Sequence, residues 1–225
     1  MYREGPFVNV RALLYIILKR GMVTIKLLLV GSTGKTGQLI ERGLEEKEVS
    51  FKRFVRSEEQ MRQGSFLGDI RNLEDVNEAM VGATAVISAL NTEGNGTLVS
   101  GMGNIIAAMK QHQIKRLVTI GTAGILQSEL EPHLYRYQSI ENKRIHHEAA
   151  KEHERVYEQL LQSELDWTII CPTRLVHEDR RGEYRVRENI LPTGGSAISF
   201  ADTAEFAVTA YLNGLHIRKR VGIAY

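Results

Sequence analysis

Short apolar runs alternate with segments of helical periodicity along most of the chain. Apolar runs of about four to eight residues bounded by turn residues are typical of buried strands, and apolar residues recurring at i, i+3, i+4 and i+7 are typical of amphipathic helices. Strands are therefore predicted at residues 23–30, 50–55, 65–70, 85–90, 116–120, 167–171 and 220–224. Helices are predicted at residues 36–44, 73–80, 98–109, 145–160 and 203–212.

This alternation of strands and helices predicts an α/β fold. Its core would be a doubly wound, mostly parallel sheet with helices on both faces. A small C-terminal substrate region would follow, with an edge strand at residues 182–186, a turn at 192–195 and a helix capped by Asp202. Because such sheets bind ligands beyond the carboxyl ends of their strands, the candidate site residues should directly follow strands.

Residues 1–21 differ from the rest of the chain. They hold four basic residues against one acidic residue, and their apolar run at 12–18 is much shorter than the roughly 18 residues expected of a membrane span. No small-residue cleavage site follows that run, as a signal peptide would require. Because Met22 directly precedes the first predicted strand, we hypothesise that it is the natural start and that residues 1–21 are an extension. A short interfacial or packing helix is the alternative.

Composition and charge narrow the classes of function. The 225 residues are 43% hydrophobic and 25% charged, as in an ordinary globular protein, and residues 22–225 suit a single domain. The net charge of +2 is too small to indicate nucleic acid or a membrane surface as a partner. The single cysteine, Cys171, cannot form an internal disulfide, which favours a cytoplasmic location. We expect a small-molecule partner and a monomer by default, with a homodimer as the alternative.

The sharpest motif is a glycine-rich loop between the first predicted strand and its helix. It has the spacing G-x-x-G-x-x-G and consists of Gly31, Ser32, Thr33, Gly34, Lys35, Thr36 and Gly37. Small residues let the backbone approach a pyrophosphate, and the helix N-terminus supplies free N–H groups. The strand before and the helix after are the context that a Rossmann-like NAD(P)-binding domain requires, and a plain glycine-rich turn is the alternative. A triphosphate-binding loop would need glycine where the chain has Leu29.

The end of the second predicted strand indicates which dinucleotide binds. An acidic residue there would accept a hydrogen bond from the ribose 2′-hydroxyl of NAD(H), but the chain has Arg56 followed by Ser57. A guanidinium can pair bidentately with a 2′-phosphate, and the serine can add a hydrogen bond. We therefore expect NADP(H) in preference to NAD(H). The alternative is that Arg56 is a solvated loop residue.

Several linked segments resemble those of a known family and come in the same order. They are residues 31–37, 55–56, 68–70, 85–90, 105–110, 116–122, 153–155, 163 and 165–172. Over residues 22–212 the chain resembles the atypical short-chain dehydrogenase/reductase group of NAD(P)H-binding, NmrA-like proteins, and within it the biliverdin reductase B/flavin reductase type. The resemblance implies an NADP(H)-dependent reductase of flavins, quinones or similar conjugated acceptors. An NADP(H)-binding redox sensor without turnover is the main alternative, and a nucleotide-sugar isomerase or epimerase is a third.

The resemblance also implies roles for particular residues. The glycine-rich loop would contact the pyrophosphate, and Arg56 would contact the 2′-phosphate. The remaining cofactor contacts that it implies, from adenine to nicotinamide, are Asp69, Ile70, Leu90, Asn91, Ile120, Gly121, Thr122, His153, Pro172 and Thr173.

The proton-transfer pair of ordinary short-chain dehydrogenases, Tyr-x-x-x-Lys, occurs only as Tyr15 and Lys19, ahead of the first predicted strand. Where many relatives have that lysine, the chain has His153, as the biliverdin reductase B type does. Thr122 matches a serine of that type, and Arg174 falls where that type has histidine. The catalytic expectations are that Thr122 positions the nicotinamide or acceptor, that His153 holds the cofactor and supplies a proton, and that Arg174 attracts an anionic substrate.

Structural alternatives exist for these residues. His153 can be a satisfied helix residue, and Arg174 can belong to a structural ion pair. His146, His147 and His153 do not have the i, i+4 spacing that places two ligands on one helix face, so no metal is expected. Cys171 lies in an apolar run, which favours a buried, inert thiol over a nucleophile.

Overall fold

The computed structural model describes residues 27–142 and 145–225. The strands in this part of the chain are β1 (Leu27–Val30), β2 (Phe51–Val55), β3 (Ser65–Leu67), β4 (Ala85–Ser88), β5 (Arg116–Ile120), β6 (Asp166–Pro172), β7 (Arg174–Val176), β8 (Arg185–Glu188), β9 (Ala197–Ser199) and β10 (Lys219–Ala224). The α-helices there are α1 (Lys35–Glu46), α2 (Leu73–Met80), α3 (Thr97–Gln111), α4 (Glu148–Gln162) and α5 (Phe200–Leu212). The hypothesis about residues 1–21, and residues 23–26 of the first predicted strand, lie outside the described residues.

Eight of these strands form one sheet in the order β3-β2-β1-β4-β5-β6-β10-β8. Every neighbouring pair is parallel except β10 and β8, which are antiparallel. The chain extends the sheet from β1 first through β2 and β3, and then through β4 on the other side. The carboxyl end of β1 is therefore the topological switch point of a doubly wound sheet, and the predicted Rossmann-like α/β fold is confirmed.

Helices cover both faces of the sheet. The helices α1 and α5 pack against each other, while α3 packs against α2 and α4. Successive residues of β1 alternate between the two layers: Leu28 packs in the hydrophobic cluster that contains Val76 of α2, and Leu29 packs in the cluster that contains Ile40 of α1. All four residues of β1 are buried, as expected of a parallel strand covered on both faces. Among the described residues no helix is long and apolar enough to cross a membrane.

Three predicted details in the later part of the chain were wrong. The long helix α4 begins at Glu148 rather than near Ile145, whose side chain is 90% exposed and so does not belong to the buried stripe. The edge strand expected at residues 182–186 forms at Arg185–Glu188, where it pairs with β10. The N-cap of α5 is Ser199 rather than Asp202, and the serine side chain accepts a hydrogen bond from the Asp202 N–H.

Asp202 does not cap the helix because its carboxylate is used elsewhere. The side chain is fully buried and accepts hydrogen bonds from the backbone N–H groups of Arg181 and Gly182. It also accepts from the hydroxyl of Tyr225 at 2.6 Å. These hydrogen bonds hold the pKa of Asp202 below its usual value although burial opposes them. Asp202 therefore fastens the segment before β8 and the last residue of the chain to the start of α5.

Candidate functional site

The glycine-rich loop lies at the carboxyl end of β1, the switch point of the sheet. Gly31 has a φ of +78°, and a Cβ there would lie 2.6 Å from the carbonyl oxygen of Ala89. A Cβ at Gly37 would lie 2.0 Å from the carbonyl oxygen of Gly31, so the first turn of α1 rests directly on the loop. The first and third glycines of the motif are therefore required by close backbone packing.

Within the described part of the chain, the N-terminus of α1 is open to an anion. Gly34 is its N-cap, no described side chain caps it, and its first turn contains no acidic residue. A Cβ at Gly34 would lie 3.6 Å from the Gly31 oxygen, which is an ordinary contact, so packing does not explain this glycine. Uncapped N–H groups at the positive end of a helix dipole favour a phosphate group.

A cavity of about 410 Å³, which we call the first cavity, opens beside this loop. Its size is within the roughly 300–1,000 Å³ of ligand pockets. The predicted cofactor residues that line it are Gly31, Thr33, Gly34, Arg56, Asp69, Ile70, Leu90 and Asn91. These residues come from the segments that follow β1, β2, β3 and β4, so the structure brings together the residues expected at the adenosine and pyrophosphate end.

Other residues of the motif lie outside the lining of the first cavity. Ser32 is buried, and Gly37 is packed under the loop. The ammonium group of Lys35 donates a hydrogen bond to His177 Nε2 at 2.9 Å and lies 5.7 Å from the centre of the Phe200 ring. The expected pyrophosphate contacts of Lys35 and Thr36 stay predictions.

Two ion pairs stand at the rim of the first cavity. Arg71 bonds to both carboxylate oxygens of Asp69, with a shortest distance of 2.6 Å, and these hydrogen bonds lower the pKa of Asp69. Arg56 Nη1 donates to Glu93 Oε1 at 2.9 Å. The sequence analysis missed Arg71 and Glu93, although each stands within three residues of a predicted contact at a strand end.

A second cavity of about 610 Å³ lies at the carboxyl ends of β5 and β6. The predicted site residues that line it are Thr122, Pro172, Thr173 and Arg174. Both cavities lie along the same edge of the sheet, because the carboxyl ends of parallel strands meet there. Ile120 ends β5 and Gly121 follows it, but neither lines the second cavity.

Thr122 caps a short 3₁₀ turn at the wall of the second cavity. Its Oγ1 accepts a hydrogen bond from the N–H of Gly124 at 3.3 Å, which leaves the hydroxyl hydrogen available for donation. A Cβ at Gly124 would lie 3.6 Å from the Thr122 methyl carbon and 3.4 Å from the Tyr137 Cβ. Thr122 and Tyr137 therefore both lie next to Gly124 in this wall.

Tyr137 is a site residue that the sequence analysis missed. Its hydroxyl donates to Glu154 Oε2 at 2.5 Å and accepts from Gln138 Nε2 at 3.1 Å. Burial, and then the hydrogen bond to Glu154, raise the pKa of Tyr137 to about 12, so the phenol stays protonated near neutral pH. The His147 ring meets it edge-on at 5.7 Å. Tyr137 lies in a short 3₁₀ turn at Arg136–Gln138, and no local sequence pattern points to a partner on α4.

The two arginines of the second cavity differ in their pairing. Arg136 forms a short hydrogen-bonded ion pair with Glu141. Arg174 is exposed, and its side chain forms no ion pair or hydrogen bond with any described residue. The alternative of a structural ion pair for Arg174 is therefore not supported within this part of the chain, and its charge is available to a ligand.

His153 lies apart from both cavities. Its side chain is 8% exposed on the buried face of α4 and lines neither of them. Burial lowers its pKa to about 4, so the imidazole is neutral near pH 7 and holds no imidazolium proton to donate. This placement counts against His153 as a proton source, and its expected contact with the cofactor stays a prediction.

Cys171 fits the expected inert thiol. It is fully buried in β6, and burial raises its pKa to about 12, which suppresses the reactive thiolate.

Within residues 27–142 and 145–225, no three His, Cys, Asp or Glu side chains are grouped so that they could hold a metal ion.

Comparison with known proteins relates the chain to NAD(P)H-binding proteins in sequence and in fold. A family described as NAD(P)H-binding matches residues 31–213, which is most of the chain. A Bacteroides thetaiotaomicron protein provisionally assigned as an epimerase is 25% identical, with a TM-score of 0.77 over 90% of this chain and 97% of that chain. A Streptococcus pneumoniae TIGR4 protein provisionally assigned as an NADH-flavin reductase is 24% identical, with a TM-score of 0.76 over 89% of this chain and 99% of that chain.

A third structure with the same fold contains a dinucleotide. It is a short-chain dehydrogenase/reductase from Veillonella parvula DSM 2008 in complex with NADP. It is 17% identical, with a TM-score of 0.69 over 89% of this chain and 94% of that chain. At this level of identity the likeness establishes the shared fold.

Proposed function

Because the chain belongs to the NAD(P)H-binding family, we propose that it is an NADP(H)-dependent oxidoreductase that transfers a hydride to a flavin, a quinone or a similar conjugated acceptor. The observation that carries the proposal is the pair of cavities along one edge of the sheet. The first cavity would hold the adenosine end of the dinucleotide beside the open N-terminus of α1. The second would receive the nicotinamide and the acceptor.

The preference for NADP(H) rests on Arg56. Its side chain is 68% exposed at the rim of the first cavity, where a guanidinium can form two hydrogen bonds with a 2′-phosphate. An acidic residue in the same position would repel that phosphate, and the chain has none there.

Hydride transfer at the second cavity would depend more on the position of the nicotinamide and the acceptor than on proton transfer from a side chain. When bound, NADPH would supply the hydride from its nicotinamide ring. Thr122 would donate its hydroxyl hydrogen to orient that ring or the acceptor, and Arg174 would attract an anionic group on the acceptor. A conjugated acceptor takes its proton from solvent, so the lack of a Tyr-x-x-x-Lys pair in residues 27–225 agrees with such a substrate and with the biliverdin reductase B/flavin reductase type.

The neutral, buried state of His153 favours a second candidate. A protein whose His153 supplies no proton could bind NADP(H) and report its redox state without turnover. Such a sensor would distinguish NADPH from NADP⁺ in affinity and would show no acceptor-dependent oxidation.

The deciding experiment follows NADPH oxidation by absorbance with FMN, riboflavin, a quinone and biliverdin as acceptors. Direct titrations with NADPH, NADP⁺ and NADH accompany it. Acceptor-dependent turnover that falls in Arg174→Gln but not in the exposed control Arg42→Gln supports the reductase. Binding without turnover supports the sensor, and no dinucleotide binding overturns both candidates.

A further inference from the structure

The ion pair between Arg56 and Glu93 crosses the first cavity. Arg56 follows β2 and Glu93 belongs to the loop that follows β4, and these strands flank β1 on opposite sides. Both side chains line the cavity, and Nη1 and Oε1 are 2.9 Å apart. The carboxylate therefore occupies part of the guanidinium edge that a phosphate would use.

We propose that Glu93 is a specificity-determining residue: its carboxylate competes with the 2′-phosphate of NADP(H) for Arg56, and NAD(H) binds without displacing it. This inference rests on the proposed binding of a dinucleotide in the first cavity. Glu93 then lowers the preference for NADP(H) below what Arg56 alone would give.

The two arginines at the rim of the first cavity differ in how they are paired, and Arg56 is the one that a phosphate can bind. The other cation, Arg71, is held by Asp69 through hydrogen bonds to both carboxylate oxygens. Among the described residues, the Arg56 side chain has one hydrogen bond, to Glu93 Oε1. A phosphate with two negative charges and three acceptor oxygens can form two hydrogen bonds with the guanidinium and replace this single one.

Breaking the ion pair between Glu93 and Arg56 costs little free energy. The Glu93 side chain is 43% exposed, and exposed ion pairs contribute little because water screens them. The loop that carries it contains Gly94 and Gly96, both at positive φ, and a Cβ at either position would have no heavy atom of a described residue within 4 Å, its chain neighbours aside. The loop therefore has open space around it when the carboxylate turns away.

The test measures dissociation constants for adenosine 2′,5′-bisphosphate and 5′-AMP, and for NADPH and NADH, in the wild type and in Glu93→Gln. We expect Glu93→Gln to tighten binding of the two ligands with a 2′-phosphate by about two- to fivefold, the range available from an exposed ion pair, without tightening binding of the other two. Glu164→Gln is the matched control, because Glu164 is also exposed and paired, with Lys115, away from both cavities. It should change none of the four constants.

The same measurements in the Arg56→Gln variant distinguish a failure of the inference about Glu93 from a failure of the proposed function. In that variant, Glu93→Gln should tighten 2′-phosphate binding less than it does in the wild type, because the residue for which it competes is absent. If Glu93→Gln leaves the selectivity of the wild type unchanged while Arg56→Gln lowers it, the inference about Glu93 is overturned and the 2′-phosphate site at Arg56 stands. If no ligand binds any variant or the wild type, the proposed function fails together with the inference.

Discussion

At the scale of the residue, the Thr122 hydroxyl uses only part of its hydrogen-bonding capacity. The oxygen accepts from the N–H of Gly124, and the hydroxyl hydrogen has no acceptor assigned among the described residues. Such a group can donate to a ligand in the second cavity without breaking the turn that it caps. The position of Thr122 was predictable from the sequence, because it closely follows the apolar strand β5. The position of Tyr137 was not, because it belongs to a different short 3₁₀ turn and no sequence period relates the two turns.

We expect Thr122→Ala to lower the rate of hydride transfer about tenfold or more while NADPH affinity changes less, because a positioning donor acts on the reacting ring. Stopped-flow transfer rates and direct titration separate the two effects. Thr122→Ser keeps the hydroxyl and should restore the rate. Equal losses of affinity and rate in Thr122→Ala would instead mean that the hydroxyl only helps to bind the cofactor.

The buried imidazole of His153 makes the stability of the fold depend on pH. Burial lowers its pKa from 6.5 to about 4. Between these values the unfolded chain binds a proton that the folded protein does not, so acid favours unfolding. The stabilisation is fully present above about pH 6.5 and is lost as the pH falls toward 4. A shift of this size corresponds to about 3 kcal/mol.

His153→Gln should therefore flatten the fall in unfolding free energy between pH 6.5 and 4, measured by urea denaturation. His133 is exposed, so His133→Gln is the control. It should keep the pH dependence of the wild type, because the carboxylates contribute equally to the unfolding free energy of the wild type and the variants. If His153→Gln keeps that pH dependence as well, the imidazole is protonated in the folded protein and its role as a proton source regains support.

At the scale of the element, the bounds that could be predicted are those set by a strong hydrophobic period. The predicted bounds of α2 and β5 coincide with those observed, Leu73–Met80 and Arg116–Ile120. The start of α4 was mispredicted because Ile145 matches the period by chance. The cap of α5 was mispredicted because serine and aspartate are both good caps, and the hydrogen bonds of Asp202 to distant residues decide between them.

Packing of α1 on the glycine-rich loop gives an element-scale prediction. We expect Gly37→Ala to destabilise the protein by several kcal/mol, about 2 or more, and to weaken NADPH binding, because the added carbon would overlap the Gly31 carbonyl and push α1 off the loop. Gly103→Ala in α3 is the control. A Cβ there meets only the end of the Gln159 side chain at 3.6 Å, so stability should rise by about 0.5–1 kcal/mol. Urea denaturation compares the two, and equal stability would contradict the packing described for Gly37.

At the scale of the whole molecule, the order of the strands determines where a ligand can bind. Parallel strands on both sides of β1 bring loops from β1 to β6 to one edge, and this arrangement was predictable from the alternation of strands and helices. The walls of the cavities were not predictable, because they depend on pairs such as Arg56 with Glu93 and Tyr137 with Glu154. These pairs join loops or helices at separations that follow no sequence period.

This arrangement predicts how ligands protect the backbone from hydrogen exchange. Adenosine 2′,5′-bisphosphate should slow exchange in the loops around the first cavity, at Gly34, Arg56 and Leu90, and leave the second cavity unchanged. NADPH should protect the same amides and extend protection to Thr122 and Gly124, because its nicotinamide end would reach the second cavity. Protection by NADPH confined to the first cavity would contradict a dinucleotide spanning both and would leave the second cavity to another ligand.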